Sequence, residues 1–197
     1  MKYLLAGGAA ALAALFTHTT MTAQQPEQSI GPRYTESGEL LRPSDFREWM
    51  FVTSGLGMTY SEPTNTARRL NFTNVYVNPP SYRAFMKTGR WPDKTIFILE
   101  IRASSSEGSI NKGGHFQSDL VVIEAAVKDE ARYPHLNGKW AYFDFGREMK
   151  QQVAPLATTE RCYACHAENA AVDNTFVQFY PTLFEVAKTL GTLKAGY

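Results

Sequence analysis

The stretch from Thr95 to Phe145 decides the fold, and it contains the apolar runs TIFILEI (95–101), LVVIEAAV (120–127) and KWAYFDF (139–145). β-Branched and aromatic residues dominate these runs, and the third alternates between apolar and polar positions, as strands do. Glycines interrupt the first connection, and Pro134 interrupts the second. Neither connection shows the pattern of a crossover helix, so the sequence predicts an antiparallel sheet.

Elements on both sides of this stretch extend the sheet and add helices. The run Phe72–Val77 (FTNVYV) alternates well enough for a further strand. Asn78 caps a helix that begins with two prolines and stops at Gly89, and Pro181 opens another helix that ends before Gly191. The sequence therefore predicts an α+β fold, with an antiparallel sheet of about four to five strands and a few packed helices.

The segment before the first of these strands is predicted to contain a short helix and a loop. Asp45, or the serine before it, caps a helix whose apolar face extends over Phe46–Val52. Residues 53–65 contain glycine and proline and are predicted as loop. Residues 24–43 are polar and are expected to form an extended arm on a single domain that spans residues 44–197.

Residues 1–23 are predicted to be a signal peptide. Lys2 supplies the positive start, Tyr3–Phe16 supplies a short apolar stretch, and cleavage is expected after Ala23. An uncleaved anchor is the alternative, because Met21 stands at a position that signal peptidase prefers to be small. A cleaved signal predicts a periplasmic protein whose mature form has no membrane span.

Composition excludes one large class of partner. The chain has 197 residues, of which 44% are hydrophobic, so it can bury one substantial core. Its formal net charge is +1. Nucleic-acid-binding domains normally carry a strong basic excess, so the sequence argues against a nucleic-acid partner.

The motif Cys162-Tyr163-Ala164-Cys165-His166 lies near the end of the chain. Each thiol of such a motif can bond to a vinyl group of haem, and the histidine that follows can bind the iron. A disulfide, a redox dithiol and half of a zinc site are the alternatives. The chain contains only these two cysteines, and a dithiol would not need His166. We therefore predict one haem c, attached near the C-terminus through Cys162 and Cys165, with His166 as the iron ligand.

A sixth ligand of that iron would have to come from earlier in the chain, because no methionine or histidine follows His166. The earlier candidates are Met50, Met58, Met86, Met149, His115 and His135. Met50 and Met86 are predicted to lie in the core, and both histidines lie in predicted turns. We therefore expect a five-coordinate iron, whose open position favours ligand binding or catalysis over pure electron transfer.

Several blocks outside the motif occur together, in this order, in a known family. They are Pro43–Trp49 (PSDFREW), Asn74–Tyr82 (NVYVNPPSY), the Trp91-Pro92-Asp93 turn before the strand at Thr95, and Phe179–Leu183 (FYPTL). With the Cys-x-x-Cys-His motif between the last two, the chain resembles the cytochrome P460 family, which includes the cytochromes c′-beta. The resemblance extends from about Arg42 to the end of the last helix.

The resemblance implies a function as well as a fold. It implies an antiparallel sheet with a pocket over the haem, and often a homodimer. In P460 members a lysine is bonded to a meso carbon of the porphyrin, and the enzyme oxidises hydroxylamine to nitric oxide or nitrous oxide. A small periplasmic cytochrome is the expected electron acceptor. In c′-beta members the bond is missing, and the haem binds nitric oxide or carbon monoxide. An electron carrier with a sixth protein ligand is the third interpretation.

The resemblance points to Lys94 as the cross-linking residue. Many similar sequences have glycine at this position, whereas here the turn reads Pro92-Asp93-Lys94-Thr95. A residue other than glycine in so tight a turn raises the conformational energy of the backbone, and this cost suggests that the lysine has a function there. A solvated hairpin lysine is the alternative, and Lys112 is the substitute if the register differs.

Two further residues are candidates for the chemistry. Strand alternation places Glu100 on the same face as Lys94, so Glu100 is a candidate proton acceptor. A salt bridge of Glu100 with Arg102 or Arg83 is the alternative. Arg68 precedes the first strand and is a candidate hydrogen-bond donor in the pocket, although a solvated surface position is the alternative.

Overall fold

The computed structural model describes residues 30–59, 70–147, 151–158 and 160–197. The strands of its main sheet are β2 (Met50–Leu56), β3 (Asn71–Val77), β4 (Ile96–Ser105), β5 (Phe116–Lys128) and β6 (Trp140–Arg147). They pair antiparallel in the order β2-β3-β4-β5-β6. Two short strands, β1 (Leu40–Leu41) and β7 (Val153–Ala154), form a second antiparallel pair. The predicted signal peptide at residues 1–23 lies outside the described residues.

The described residues also form three α-helices: α1 (Pro79–Thr88), α2 (Glu160–Asn169) and α3 (Pro181–Thr189). α1 ends at Gly89, whose φ of 66° is the left-handed conformation that glycine adopts at low cost. None of the helices in the described part of the chain is long and apolar enough to cross a bilayer. The predicted α+β fold with an antiparallel sheet is confirmed.

The predicted helix over Phe46–Val52 is wrong. Only Phe46–Glu48 forms a helical turn, of the 3-10 type, and β2 begins at Met50 and continues into the predicted loop. The start of the predicted apolar face is nevertheless correct, because Phe46 and Trp49 are both buried. Beyond Trp49, pairing with β3 supplies the backbone with hydrogen bonds that a local helix pattern does not anticipate.

The sheet has two faces that pack against different parts of the chain. We call one the arm face; it carries Ile96, Ile98, Ile123, Ala125, Val127 and Phe143, and Leu40, Phe46 and Trp49 of the N-terminal segment pack on it. We call the other the motif face; it carries Val77, Phe97, Trp140 and Tyr142, and it packs against Phe85 of α1, Cys162 and Tyr163 of α2, and Leu183 and Ala187 of α3. The Cys-x-x-Cys-His motif therefore lies against one identified side of the sheet.

Candidate functional site

Helix α2 carries all three motif residues. Cys162 and Cys165 are free thiols, and both are half-buried. Burial raises the pKa of the Cys162 thiol, and the neighbouring Glu124 carboxylate raises that pKa further. The two thiols are not bonded to each other, and no cluster of three or more His, Cys, Asp or Glu side chains that could hold a metal ion occurs within the described ranges.

The imidazole of His166 is oriented by a backbone carbonyl. Its Nδ1 lies 2.8 Å from the carbonyl oxygen of Asn174, and a carbonyl oxygen only accepts, so Nδ1 is the donor. The ring packs against Tyr142 and Phe176, at centroid distances of 4.4 and 4.5 Å. Burial lowers the pKa of His166, and the hydrogen bond to Asn174 opposes this only in part. His166 is therefore held as a neutral imidazole whose Nε2 lone pair is available to a metal ion.

The part of the motif face beside α2 is open. On the arm face, Ile98 is 0% and Ile123 is 0% exposed. The other face of β3, β4 and β5 carries half-buried residues beyond Val77 and Phe97: Val75, Leu99, Ile101, Val122, Glu124 and Ala126. A mostly apolar, partly exposed sheet surface next to two thiols and a metal-binding histidine fits a flat, apolar group.

Two polar atoms on the motif face have no hydrogen-bond partner among the described residues. They are the hydroxyl of Tyr142 and the indole nitrogen of Trp140, both buried on the motif face. Burial raises the pKa of Tyr142 above its usual value, and Tyr163 and Cys162 add to the effect. Buried polar groups are normally paired, so these atoms call for an acceptor that the described part of the chain does not provide. The site as a whole fits haem c, which carries acceptor groups and bonds to cysteine thiols.

Glu124 is a site residue that we did not single out from the sequence. It lies opposite Leu99 of β4 and Asp144 of β6 on the motif face. Burial raises the pKa of Glu124, and the charge of Asp144 raises it further. No ion pair or hydrogen bond of its carboxylate occurs in the part of the chain that the structure describes. The sequence does contain a feature that could have identified it, because Glu124 is the only charged residue of the run LVVIEAAV.

Glu100 lies on the arm face, away from the motif. Its Oε1 accepts two hydrogen bonds from Arg47, and Arg102 lies 3.3 Å from Oε2. Burial alone would raise the pKa of Glu100, but the hydrogen bonds and charges of the two arginines outweigh burial and lower it. The salt bridge with Arg102, which the sequence offered as the alternative for Glu100, is therefore present. The structure does not bring Glu100 together with Cys162 or His166.

Lys94 also lies on the arm side of the sheet. Its φ of 63° confirms that a side chain occupies a turn position that glycine favours. Its amine pairs with Asp129, a carboxylate that also accepts a hydrogen bond from Tyr34, and lies 3.8 Å from Asp93. The structure does not bring Lys94 to the motif. The substitute Lys112 lies in an exposed loop, and Arg68 lies outside the described residues.

The candidate sixth ligands are distributed over the surface. Met50 and Met86 are each 38% exposed, so their prediction as core residues is wrong. Met86 projects from the exposed side of α1, whose buried residues are Ser81 and Phe85, and β2, which carries Met50, has no buried residue. His115 and His135 are exposed, and Met149 lies outside the described residues. The thioether of Met58 covers Gly55 and lies 3.9 Å from the Thr73 hydroxyl, at the β2 edge of the motif face. Thr73 pairs with Ile101, so Met58 is the candidate nearest the open surface.

The comparisons with known proteins support the same identification. The family model for cytochrome P460 matches residues 43–177 of the chain, a range that includes the main sheet, Glu124 and the whole haem motif. A comparison with curated proteins gives no match. The fold, the motif on α2 and the family match agree, and the chain belongs to the cytochrome P460 family of mono-haem c-type cytochromes.

Proposed function

We propose that the protein oxidises hydroxylamine to nitric oxide or nitrous oxide in the periplasm and passes the electrons to a small periplasmic cytochrome. The observation that carries this proposal is Glu124, a carboxylate on the open surface beside the haem motif that forms no ion pair with any described residue. Oxidation of hydroxylamine releases protons together with electrons, so the reaction needs a proton acceptor near the bound substrate. Simple binding of a diatomic gas needs none.

Each residue of the site has a defined task in this proposal. Cys162 and Cys165 would hold the haem by thioether bonds, and His166, whose ring Asn174 orients, would bind the iron through Nε2. When bound, haem c supplies a Lewis-acidic iron that can also accept electrons. Glu124 accepts a proton from the substrate, and its raised pKa brings its proton affinity closer to neutral pH than that of an ordinary carboxylate.

Three roles expected from the sequence stay predictions. A cross-link to the porphyrin through Lys94 would require its amine to leave Asp129 and to lose its proton. Glu100 would act as a second proton acceptor only by reaching past the sheet, and Arg68 would donate a hydrogen bond in the pocket. The homodimer and export by the signal peptide at residues 1–23 are likewise part of the proposal.

Hydroxylamine turnover tests the proposal directly. The haem-loaded, purified protein is mixed with hydroxylamine and an artificial electron acceptor, and consumption of both is followed together with the release of nitric oxide and nitrous oxide. We expect catalytic consumption and an oxidised nitrogen product. Binding of nitric oxide without any consumption of hydroxylamine would contradict the proposal.

A second function is favoured by the ion pair between Lys94 and Asp129. If that pair persists in the haem-loaded protein, Lys94 forms no cross-link, and the protein binds nitric oxide or carbon monoxide as c′-beta members do. The absorption spectrum of the dithionite-reduced protein separates the cases. A Soret band far to the red of ordinary ferrous haem c indicates a cross-link, and an ordinary high-spin spectrum indicates none. Substitution of Lys94 by alanine then shows whether this lysine forms it.

A further inference from the structure

The hydrogen bond that orients His166 depends on a loop with a demanding backbone. The acceptor is the main-chain oxygen of Asn174, 2.8 Å from Nδ1, and no side chain of the described residues shares this task. Asp173 and Asn174 have φ values of 46° and 57°, a left-handed conformation that among residues other than glycine is adopted mainly by Asn and Asp. Such a segment keeps its shape only when its surroundings hold it. The position of the Asn174 oxygen is therefore set by whatever holds residues 172–175.

Lys128, the last residue of β5, holds the first side of this loop. Its side chain is 13% exposed, and its Nζ donates to Asp173 Oδ2 at 2.7 Å and to the carbonyl oxygen of Trp91 at 2.9 Å. Asp173 is itself only 20% exposed. This pair is thus better shielded from water than the ion pairs that solvent screens on protein surfaces.

Trp91 holds the other side of the loop. Its indole nitrogen donates to the Thr175 hydroxyl at 2.7 Å, and that hydroxyl donates to the Val172 carbonyl oxygen at 2.6 Å. Asn174 therefore lies between two anchored residues, Asp173 and Thr175. Lys128 is linked to both anchored residues. It contacts Asp173 directly, and it contacts the backbone of Trp91, whose indole nitrogen donates to Thr175.

We propose that Lys128 is a positioning residue for the iron ligand: through Asp173 and Trp91 it fixes the Asn174 carbonyl against His166 Nδ1. A firm hydrogen bond at Nδ1 pulls the proton from the ring and makes Nε2 a stronger donor to a metal. Lys128 thereby sets the strength of the bond between His166 and the haem iron, and with it the reduction potential. The proposal rests on the haem motif and not on any substrate, so it stands or fails independently of hydroxylamine oxidation.

The test compares variants of the full, haem-loaded protein by resonance Raman spectroscopy. The stretching frequency between iron and histidine in the ferrous protein reports the bond itself and does not depend on turnover. We expect Lys128→Met to shift this frequency down, because the Asn174 carbonyl is no longer held at Nδ1. In Lys128→Arg the frequency should stay close to the wild-type value, since a guanidinium can reach both Asp173 and the Trp91 carbonyl.

A matched control separates this effect from a change of charge. Lys194 donates to the carbonyl oxygens of Ala167 and Glu168 in the last turn of α2, and it makes no contact with Asp173. Lys194→Met also removes a positive charge, close to helix α2, but it leaves the contact between Lys128 and Asp173 intact. We therefore expect the stretching frequency between iron and His166 to stay unchanged. Equal shifts in both methionine variants would overturn the proposal, as would an unshifted frequency in Lys128→Met.

A second pair of variants covers the case in which Lys128→Met does not fold. Asp173→Asn keeps the size of the side chain and weakens the contact with Lys128, and the double variant Lys128→Met/Asp173→Asn leaves the net charge unchanged. Both should show the lowered frequency, and the double variant should also have a higher reduction potential, because a weaker donor stabilises the ferric iron less. A wild-type frequency in Asp173→Asn together with a wild-type potential in the double variant would contradict the proposed role.

Discussion

Glu100 on β4 and Glu124 on β5 lie on neighbouring strands, but they point to opposite faces of the sheet. Glu100 is 2% exposed and is surrounded by the guanidinium groups of Arg47 and Arg102, so its pKa is lowered. Burial raises the pKa of Glu124, and a second carboxylate, Asp144, across the ladder raises it further; no cation of the described residues pairs with Glu124. The comparison shows that burial alone does not decide the role of a carboxylate.

The partners of the two carboxylates follow from what covers each face. The N-terminal segment brings Arg47 to the arm face, and the charge of Glu100 is neutralised inside a closed layer. On the motif face, α2 brings thiols and an imidazole, and neither type of group neutralises Glu124 at neutral pH. One face is therefore built for stability, and the other keeps an unpaired base beside the haem motif.

Removal of the attachment cysteines should have the largest effect, and it acts only on the motif face. In the double variant Cys162→Ser/Cys165→Ser neither thioether can form, so we expect complete loss of covalent haem. Mass spectrometry of the denatured protein checks this. Retention of haem mass in the double variant would contradict the assignment, and the single variants serve as controls that keep one bond each.

Glu100→Gln should cause the largest loss of stability. It leaves Arg47 and Arg102 without their carboxylate, and breaking a buried pair is strongly destabilising. Because the Arg47 side chain is 42% exposed, we expect the lower end of the usual range, a loss of about 3 kcal/mol in the free energy of unfolding. Chemical denaturation measures it.

The pH dependence of that loss has a definite sign. The folded pKa of Glu100 is lowered, so its contribution is present above the ordinary carboxyl pKa and is lost as pH falls through the lowered folded value. The wild type and the variant should therefore converge in acid. A constant difference at every pH would mean that the ion pairs are not the source of the loss.

Glu124→Gln should have a smaller effect on stability, of the opposite sign. The folded pKa of Glu124 is raised, so the charged form disfavours folding as pH rises through that value. Near neutral pH we expect the glutamine variant to be more stable than the wild type, by up to about 1 kcal/mol. Below the ordinary carboxyl pKa the advantage should vanish. A variant that is less stable near neutral pH would show that Glu124 has a cationic partner.

The sequence predicted most of the sheet because its signal is local. The runs from Thr95 to Phe145 alternate or are β-branched, and the structure places β4, β5 and β6 on them. β2 was missed because its pairing with β3 is a tertiary contact, and because Gly55 within it and Gly57 just after it suggested a loop. A strand at the edge of a sheet carries little pattern of its own, so local periodicity could not reveal it.

The sequence predicted the motif but not the face on which it lies. Alternation correctly grouped Ile96, Ile98 and Glu100, because residues two apart share a side of a strand. It could not show that α2 packs on the other side, since this depends on how the chain returns after β6. Glu124 was therefore overlooked inside a run that had been read correctly as a strand.

The central claim is that the motif face, through Glu124, carries the chemistry. The most direct measurement is the rate of hydroxylamine oxidation by haem-loaded Glu124→Gln, compared with Glu100→Gln under conditions in which both remain folded. Loss of a positioned proton acceptor typically lowers a rate by about 10²–10⁴-fold; we expect this loss for Glu124→Gln and a smaller loss for Glu100→Gln. A Glu124→Gln protein with the wild-type rate, beside a Glu100→Gln protein that has lost it, would contradict the account.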